Sequence, residues 1–338
     1  MRNRRIVVTA HGGPDVLKVV EEDLPEPQAG EVRLKVLAAG VSAYDAMLRR
    51  SGALPGSPKV PYTPSEDIVA VVDEVGVGVS GLELGQRVAA FTLGDGGGYA
   101  AFLCRPADQL VPVPEGVDPA QAVCLIVNYL TAHLAMHGTG KVARGERILV
   151  HGAAGGVGTA LLELGRLADL EMCGTASSAG QDTVLALGAT PIDYRTEDFV
   201  ERVRDLTGDG VDAAFDPIGG ARHIWRSYRV LRAGGRLIWF GMAATKAKGP
   251  MVIPFTLATQ LVLGVLPDGK QAPLMPDLGT HVSANDAWYR QTLTELMGLL
   301  AAGELRPVVA ARIPLLEASR AHALLDQGGY AGKIVLIN

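Results

Sequence analysis

One segment constrains this chain more than any other: Ile148-Leu149-Val150-His151-Gly152-Ala153-Ala154-Gly155-Gly156-Val157-Gly158. A β-branched apolar run leads in, and glycines follow at 152, 155 and 158. Val157, Leu161, Leu164 and Ala168 then fall on one face of the helix that their spacing predicts. A strand, a glycine turn and a helix in that order expose backbone N–H groups at a helix N-terminus, with no side chain in the way of a pyrophosphate. The segment therefore predicts a dinucleotide site built from Gly152, Ala154, Gly155, Gly156, Val157 and Gly158. The spacing is not the strict G-x-G-x-x-G, so the flanking strand and helix carry the reading. The bland alternative is a tight packing turn with no ligand.

The alternation continues downstream. Met172 to Ala176, Val211 to Phe215 and Arg236 to Phe240 read as strands, and a helix opens at Thr196 with Glu197 and Asp198 in its first turn. The fold class is α/β, with a doubly wound parallel sheet of the Rossmann type. The first 115 residues are different. Val32 to Val36 alternates apolar and charged residues, Ile68 to Val72 is β-branched, and prolines and glycines recur about every ten residues, which suggests a compact β-barrel domain. Pro119 to Gly138 and Trp288 to Ala302 read as helices, and Gly332 to Leu336 as a terminal strand. The apolar run Met251 to Leu266 reads as a buried helix or strand near the sheet edge, or else as a lid or dimer contact. A length of 338 residues suits two domains.

Composition narrows the function classes. Lys plus Arg number 31 against 36 acids, a net charge of −5, which argues against a broad nucleic-acid surface. Cys104, Cys124 and Cys173 form no C-x-x-C pair, so neither a zinc knuckle nor a disulfide framework is predicted. No apolar h-region follows the basic N-terminus. The 251–266 run is broken by Pro254, Thr256, Thr259 and Gln260 and falls short of the roughly 20 residues a span needs. A reduced, cytoplasmic protein without a membrane span is expected.

An NAD site usually carries an acid about 20 residues past the glycines, to accept from the ribose 2′-hydroxyl. Here that region reads Thr175-Ala176-Ser177-Ser178, and the first acid is Asp182. Serines do not repel a 2′-phosphate, and Tyr194 and Arg195 follow the third strand, so NADPH is expected over NADH. Phe240-Gly241-Met242 ends a parallel strand, where a ligand crevice belongs.

Further motifs stand in order along the chain. They are Ala39-Gly40-Val41-Ser42-Ala43-Tyr44-Asp45, Pro61-Tyr62-Thr63-Pro64-Ser65-Glu66-Asp67, Gly210-Val211-Asp212, Asp216-Pro217-Ile218-Gly219-Gly220 and Gly332-Lys333-Ile334-Val335-Leu336. With the glycine turn they make the chain resemble the zinc-free medium-chain dehydrogenase/reductases, in the quinone oxidoreductase branch. Val127 to Ala132 and Gly174 to Ser178 look most like the vesicle amine transport protein group. The resemblance implies a GroES-like β-barrel catalytic domain over 1–126, completed by 303–338, and a Rossmann domain over 127–302. It also implies NADPH, a homodimer joined along the Rossmann sheet edge, and a small electrophilic substrate: a quinone, an α,β-unsaturated ketone or an enoyl thioester.

The resemblance further places Ser42, Thr131 and Lys333 near the cofactor. Tyr44 and Tyr62 line the substrate site as general-acid candidates, Asn128 orients substrate or cofactor, and Asp45 and Glu66 brace the site. Two departures stand out: Ser42-Ala43 replaces a frequent Asn-Pro, and Gly180 replaces a lysine common in NADPH users. Where the zinc alcohol dehydrogenases hold their first two ligands this chain is read as having Ser42 and Ser65, and His133 and His137 lack a third ligand in sequence, so no metal is expected. Substrate specificity is expected in 44–62 and 244–285. Two other readings stay open: an enoyl-thioester reductase in polyketide or fatty-acyl assembly, and a non-catalytic nucleotide-binding interaction protein.

Overall fold

The structure, a computed structural model, describes residues 2–52, 57–92, 96–249 and 251–338. Residues 53–56, inside one expected specificity segment, lie outside the described residues. Contacts divide the chain into two units. Residues 1–130, 279–328 and 333–338 form the first, and 131–278 with 329–332 the second.

The first unit opens with β1 (Arg2–Val8) paired antiparallel to β2 (Leu17–Asp23). Then come β3 (Glu31–Val41), helix α1 (Ala43–Ser51), β4 (Asp67–Val75), β5 (Arg87–Phe91), β6 (Phe102–Pro106) and β7 (Leu110–Pro112). These five strands from β3 onward join Val309–Pro314 and Lys333–Ile337 in a seven-stranded sheet. The alternation read in the sequence is the pleat of β3: Val32, Leu34 and Val36 are buried while Lys35 is exposed. Beyond Val36 the alternation stops, and Ala38 to Val41 are buried without a break. Burying each such valine or leucine contributes about 1.5–3 kcal/mol. The helical run α2 (Pro119–Thr139) ends this stretch at Leu130 and opens the second unit at Thr131. It is π-helical over Leu125–Tyr129 and Leu134–Thr139, a widened geometry frequent at functional sites. Among the described residues α2 is the helix long and apolar enough to cross a membrane, and 72% of its most apolar window is buried within the protein.

The second unit continues with β8 (Arg147–His151), α3 (Gly156–Leu167), β9 (Glu171–Ala176), α4 (Gln181–Ala186), β10 (Thr190–Asp193), α5 (Phe199–Thr207), β11 (Val211–Asp216), α6 (Ala221–Arg229) and β12 (Leu231–Trp239). The sheet is parallel, in the order β10-β9-β8-β11-β12. The chain runs outward from β8 on one side and then returns to β11 on the other. The switch point, where α/β sheets bind ligands, therefore lies at the carboxyl ends of β8 and β11.

Four readings need correction. The helix expected at Thr196 starts at Phe199, because the Asp198 carboxylate accepts the Val200 N–H at 2.8 Å and sets the N-cap there. α3 is not a one-sided amphipathic helix: Gly158 to Gly165 are all buried, whereas Val157 and Ala168, expected on the buried face, are only half-buried. After a short helix α7 (Thr245–Lys248), the apolar run becomes α8 (Val252–Leu263), not a buried element. Its buried residues include polar Thr256 and Gln260, while Phe255, Leu261 and Val262 are exposed. Thr256 turns inward because its hydroxyl accepts the Gly220 N–H at 2.6 Å. Finally, residues 279–302 group with the first unit. The helix Asp286–Ala301 is tied there by Tyr289, whose hydroxyl accepts the Phe91 N–H at 3.1 Å and donates to the Gln109 carbonyl at 3.2 Å.

Candidate active site

The glycine turn sits at the carboxyl end of β8, and each glycine has its own reason. Gly152 has φ +60°, a left-handed conformation that side chains resist. A Cβ on Gly158 would lie 2.7 Å from the Ala153 Cα, so this glycine lets α3 close onto the turn. Gly155 is exposed, and its N–H closes the turn on the Gly152 carbonyl at 2.8 Å. The first N–H groups of a helix have no intrahelical acceptor, so Gly156, Val157 and Gly158 present donors at the start of α3. Thr175, at the end of β9, braces the turn. Its carbonyl accepts the Ala153 N–H at 2.9 Å, and its hydroxyl lies 3.3 Å from the Gly152 N and 3.0 Å from His151 Nδ1. Residue 332 joins in from the far end of the chain: Gly332 N–H donates to the Ala154 carbonyl at 2.8 Å.

β9 ends at Ala176, and Ser177 and Ser178 follow with no acid beside them. Tyr194 and Arg195 are exposed after β10. Gly180 is buried, and a Cβ there would lie 2.5 Å from the Ala154 Cβ. A lysine at this position has no room, which explains that departure. Phe240 lies one residue beyond β12, and its N–H donates to the Asp216 carbonyl at 3.1 Å. A Cβ on Gly241 would meet the Pro217 carbonyl oxygen at 2.7 Å, so Gly241 packs closely at the switch point. Met242 follows, and its carbonyl accepts the Thr245 hydroxyl at 2.7 Å. Thr131, the first residue of the second unit, is 9% exposed.

In the first unit the acids brace. Ser42 caps α1: its hydroxyl accepts the Asp45 N–H at 3.0 Å and donates to Asp45 Oδ2 at 2.8 Å. Asp45 Oδ1 accepts the Ser65 N–H at 2.9 Å, joining two segments. Burial holds the Asp45 carboxyl above its ordinary range, with three hydrogen bonds opposing the shift. The Ser42 hydroxyl, expected near the cofactor, thus has its proton committed to Asp45. Ser65 lies at φ +78°, and its hydroxyl sits within 3.2 Å of the Gly40 and Asp67 carbonyls. Neither serine offers a thiolate or imidazole, so these two positions do not fit a catalytic zinc.

Lys333 also departs from expectation. Its Nζ lies 2.7 Å from Asp67 Oδ2, and the two side chains are 2% and 1% exposed. Burial works against the Lys333 charge, but the Asp67 carboxylate outweighs it and raises the ammonium above its ordinary range. Gly40 makes room, since a Cβ there would lie 2.6 Å from Asp67 Oδ2. Lys333 is therefore a buried ion-pair partner of Asp67. Tyr62 differs from these paired groups. Its hydroxyl is buried and has no hydrogen-bond partner among the described residues. Burial, and then the Asp45 charge, push its phenol well above the ordinary tyrosine range, so it stays a donor. Tyr44 is more open, at 37% exposed, and Asn128 is buried in the π-helical stretch of α2. The sequence reading gives Thr175, Asp67 and Gly332 no role, although each stands in one of its quoted motifs.

Comparison with known proteins agrees with this architecture. Residues 28–115 match the alcohol dehydrogenase GroES-like domain family, and residues 187–336 the family described as zinc-binding dehydrogenase. The chain is 31% identical over 340 residues to the quinone oxidoreductase of Rattus norvegicus, covering 99% of this chain and 97% of that one. The chain belongs to the medium-chain dehydrogenase/reductases, in the quinone oxidoreductase branch. It is also 31% identical to the synaptic vesicle membrane protein VAT-1 homolog of Rattus norvegicus, over 99% of this chain and 84% of that one. The crystal structure of Escherichia coli quinone oxidoreductase complexed with NADPH superimposes with a TM-score of 0.87 at 28% identity, covering 99% of this chain and 100% of that one. Like its quinone oxidoreductase relatives the chain is an oxidoreductase, with a GroES-like β domain and a Rossmann sheet.

Proposed function

We propose that this oxidoreductase uses NADPH and delivers hydride to a quinone or an α,β-unsaturated carbonyl, without zinc. The observation that carries the reading is the end of β9, where Ser177 and Ser178 stand in place of a carboxylate. A carboxylate there would repel a 2′-phosphate. The NADPH complex of the Escherichia coli relative supports the same reading.

When bound, the dinucleotide supplies the hydride. The first-turn N–H groups of α3 hold its pyrophosphate, and Gly152 and Gly155 keep the approach free of side chains. Ser177, Ser178, Tyr194 and Arg195 receive the 2′-phosphate, Phe240 to Met242 edge the crevice, and Thr131 orients the nicotinamide end. Tyr62 donates a hydrogen bond to the substrate oxygen as negative charge grows on it. Removing one such donor costs about 10²–10³ in rate. Tyr44 is the second proton-donor candidate, and Asn128 orients the substrate. The exposed apolar side of α8, with Phe255, Leu261 and Val262 at 62%, 53% and 55%, supports pairing of two copies.

The test is NADPH oxidation by the purified protein against quinones, enones and enoyl thioesters, with NADH in parallel. The expected result is turnover that favours NADPH, with quinones or enones as acceptors. Preference for enoyl thioesters would establish the acyl-assembly reading, and tight NADPH binding without turnover would establish the non-catalytic one.

A further inference from the structure

At the carboxyl ends of β8 and β11, under α6, three side chains converge. His151, Asp216 and His223 bring one ligand atom each to within 4.8 Å of the others. His151 and Asp216 are 1% and 0% exposed. Asp216 Oδ1 is fixed by the Ile218 and Gly219 N–H groups at 2.8 and 3.1 Å, which leaves Oδ2 facing the cluster. There Oδ2 lies 3.3 Å from His223 Nε2 and accepts the Ser227 hydroxyl at 2.7 Å. Ser227 Oγ is in turn 3.1 Å from His151 Nε2. His223 Nε2 is buried and makes no hydrogen bond among the described residues.

We propose that His151, Asp216 and His223, with the Ser227 hydroxyl, form a binding site for a divalent cation of the zinc class. Two imidazoles and a carboxylate are a donor set that such cations take. With bonds of about 2.0–2.1 Å, neighbouring ligand atoms in a tetrahedral site lie roughly 3.3 Å apart. The His223–Asp216 and Ser227–His151 separations already have that scale. The outer shell is in place as well. His151 Nδ1 is 3.0 Å from the Thr175 hydroxyl, which accepts the ring proton once Nε2 turns to the metal. The two backbone donors hold the Asp216 carboxylate. The Ser227 proton has a second acceptor, the His223 carbonyl at 3.1 Å, so the hydroxyl can turn a lone pair inward.

This site lies wholly in the second unit and is separate from Ser42 and Ser65 in the first. A cation there clamps the end of β8, one residue before Gly152, to α6. Its role is to hold the strand that carries the glycine turn, and it takes no part in hydride transfer.

The experiment titrates the EDTA-treated full chain with Co²⁺ and follows the visible d–d absorption, then adds Zn²⁺, and measures the melting temperature with and without Zn²⁺. The expected result is one Co²⁺ per chain with tetrahedral bands, no thiolate charge-transfer band, displacement by Zn²⁺, and a higher melting temperature with Zn²⁺. His223→Ala abolishes both the bands and the shift. His223 is chosen because its side chain is 26% exposed and tolerates truncation, and His223→Gln repeats the test if the alanine variant does not fold. His137→Ala, at an exposed histidine outside the cluster, keeps both signals. The proposal is overturned if the wild type gives no tetrahedral bands at one equivalent, or if His223→Ala and His223→Gln still give them.

Discussion

Lys333→Met is the substitution that most sharply separates two roles for one residue. If Lys333 contacts the cofactor, losing it weakens NADPH binding and leaves stability alone. If it is the buried partner of Asp67, the reverse holds. The pair lies 2.7 Å apart with side-chain exposures of 2% and 1%, so the stranded carboxylate finds no water. Removing one partner of a buried pair costs about 3–5 kcal/mol. The double variant Lys333→Met/Asp67→Leu removes both charges and recovers most of the loss, because apolar replacement of a buried pair is near neutral. Urea unfolding of the wild type, the single and the double variant, followed by circular dichroism, reads all three. A Lys333→Met loss below about 1 kcal/mol, or no recovery in the double variant, refutes the ion-pair account. Weaker NADPH binding at unchanged stability restores the cofactor role.

Other perturbations follow from the same geometry. Gly158→Ala places a Cβ 2.7 Å from the Ala153 Cα, and backbone cannot yield as a side-chain tip does. It should lower thermal stability and weaken NADPH binding about 10-fold or more, a change of 1.4 kcal/mol or more, read by calorimetry and by fluorescence titration. Arg195→Ala should weaken NADPH by about 10-fold and leave NADH unchanged, and equal effects on both would remove Arg195 from the 2′-phosphate site. Tyr62→Phe should lower kcat about 10²-fold with NADPH affinity unchanged, and an unaltered kcat rules Tyr62 out as the donor.

How much of this was legible in the sequence depends on whether the deciding contact is local. The glycine turn is local: strand, turn and helix adjoin in the chain, and a pattern read along it finds them. The end of β9 is local too, and Ser177 and Ser178 stand where the spacing placed them. The role of Lys333 is not local. It depends on β3 and Lys333–Ile337 pairing antiparallel, with Gly40 opposite Val335, so that residues distant in the chain share one buried site with Asp67. No spacing rule announces that. The 251–266 run misleads for a related reason. Its hydropathy suggests burial, but the Gly220 N–H takes the Thr256 hydroxyl and turns the apolar side outward. A helix of low amphipathicity gives no stripe from which to read the buried face.

A second long-range contact carries a pH prediction of its own. Arg49 is fully buried, with its Nε donating to His322 Nδ1 at 3.2 Å, Nη1 to the Gly12 carbonyl at 2.8 Å and Nη2 to Asp326 at 2.5 Å. Because Nδ1 accepts, His322 is neutral with its proton on Nε2, which lies 3.1 Å from the Tyr99 hydroxyl. Burial, reinforced by the Arg49 charge, holds this imidazole down at about 3. Its ordinary value is 6.5, so the unfolded chain takes up the proton first as the medium turns acid. The stability this histidine contributes is whole above pH 6.5 and drains away below it, by about 1.4 kcal/mol per unit, or about 2 kcal/mol at pH 5. The loss continues until the folded protein itself is protonated near pH 3. His322→Gln cannot charge, so it starts less stable at pH 7.5 but loses less between pH 7 and 5. Melting temperatures of the two proteins across that range should converge. Parallel curves would mean that His322 takes up its proton as readily folded as unfolded, which refutes the buried, neutral acceptor role toward Arg49.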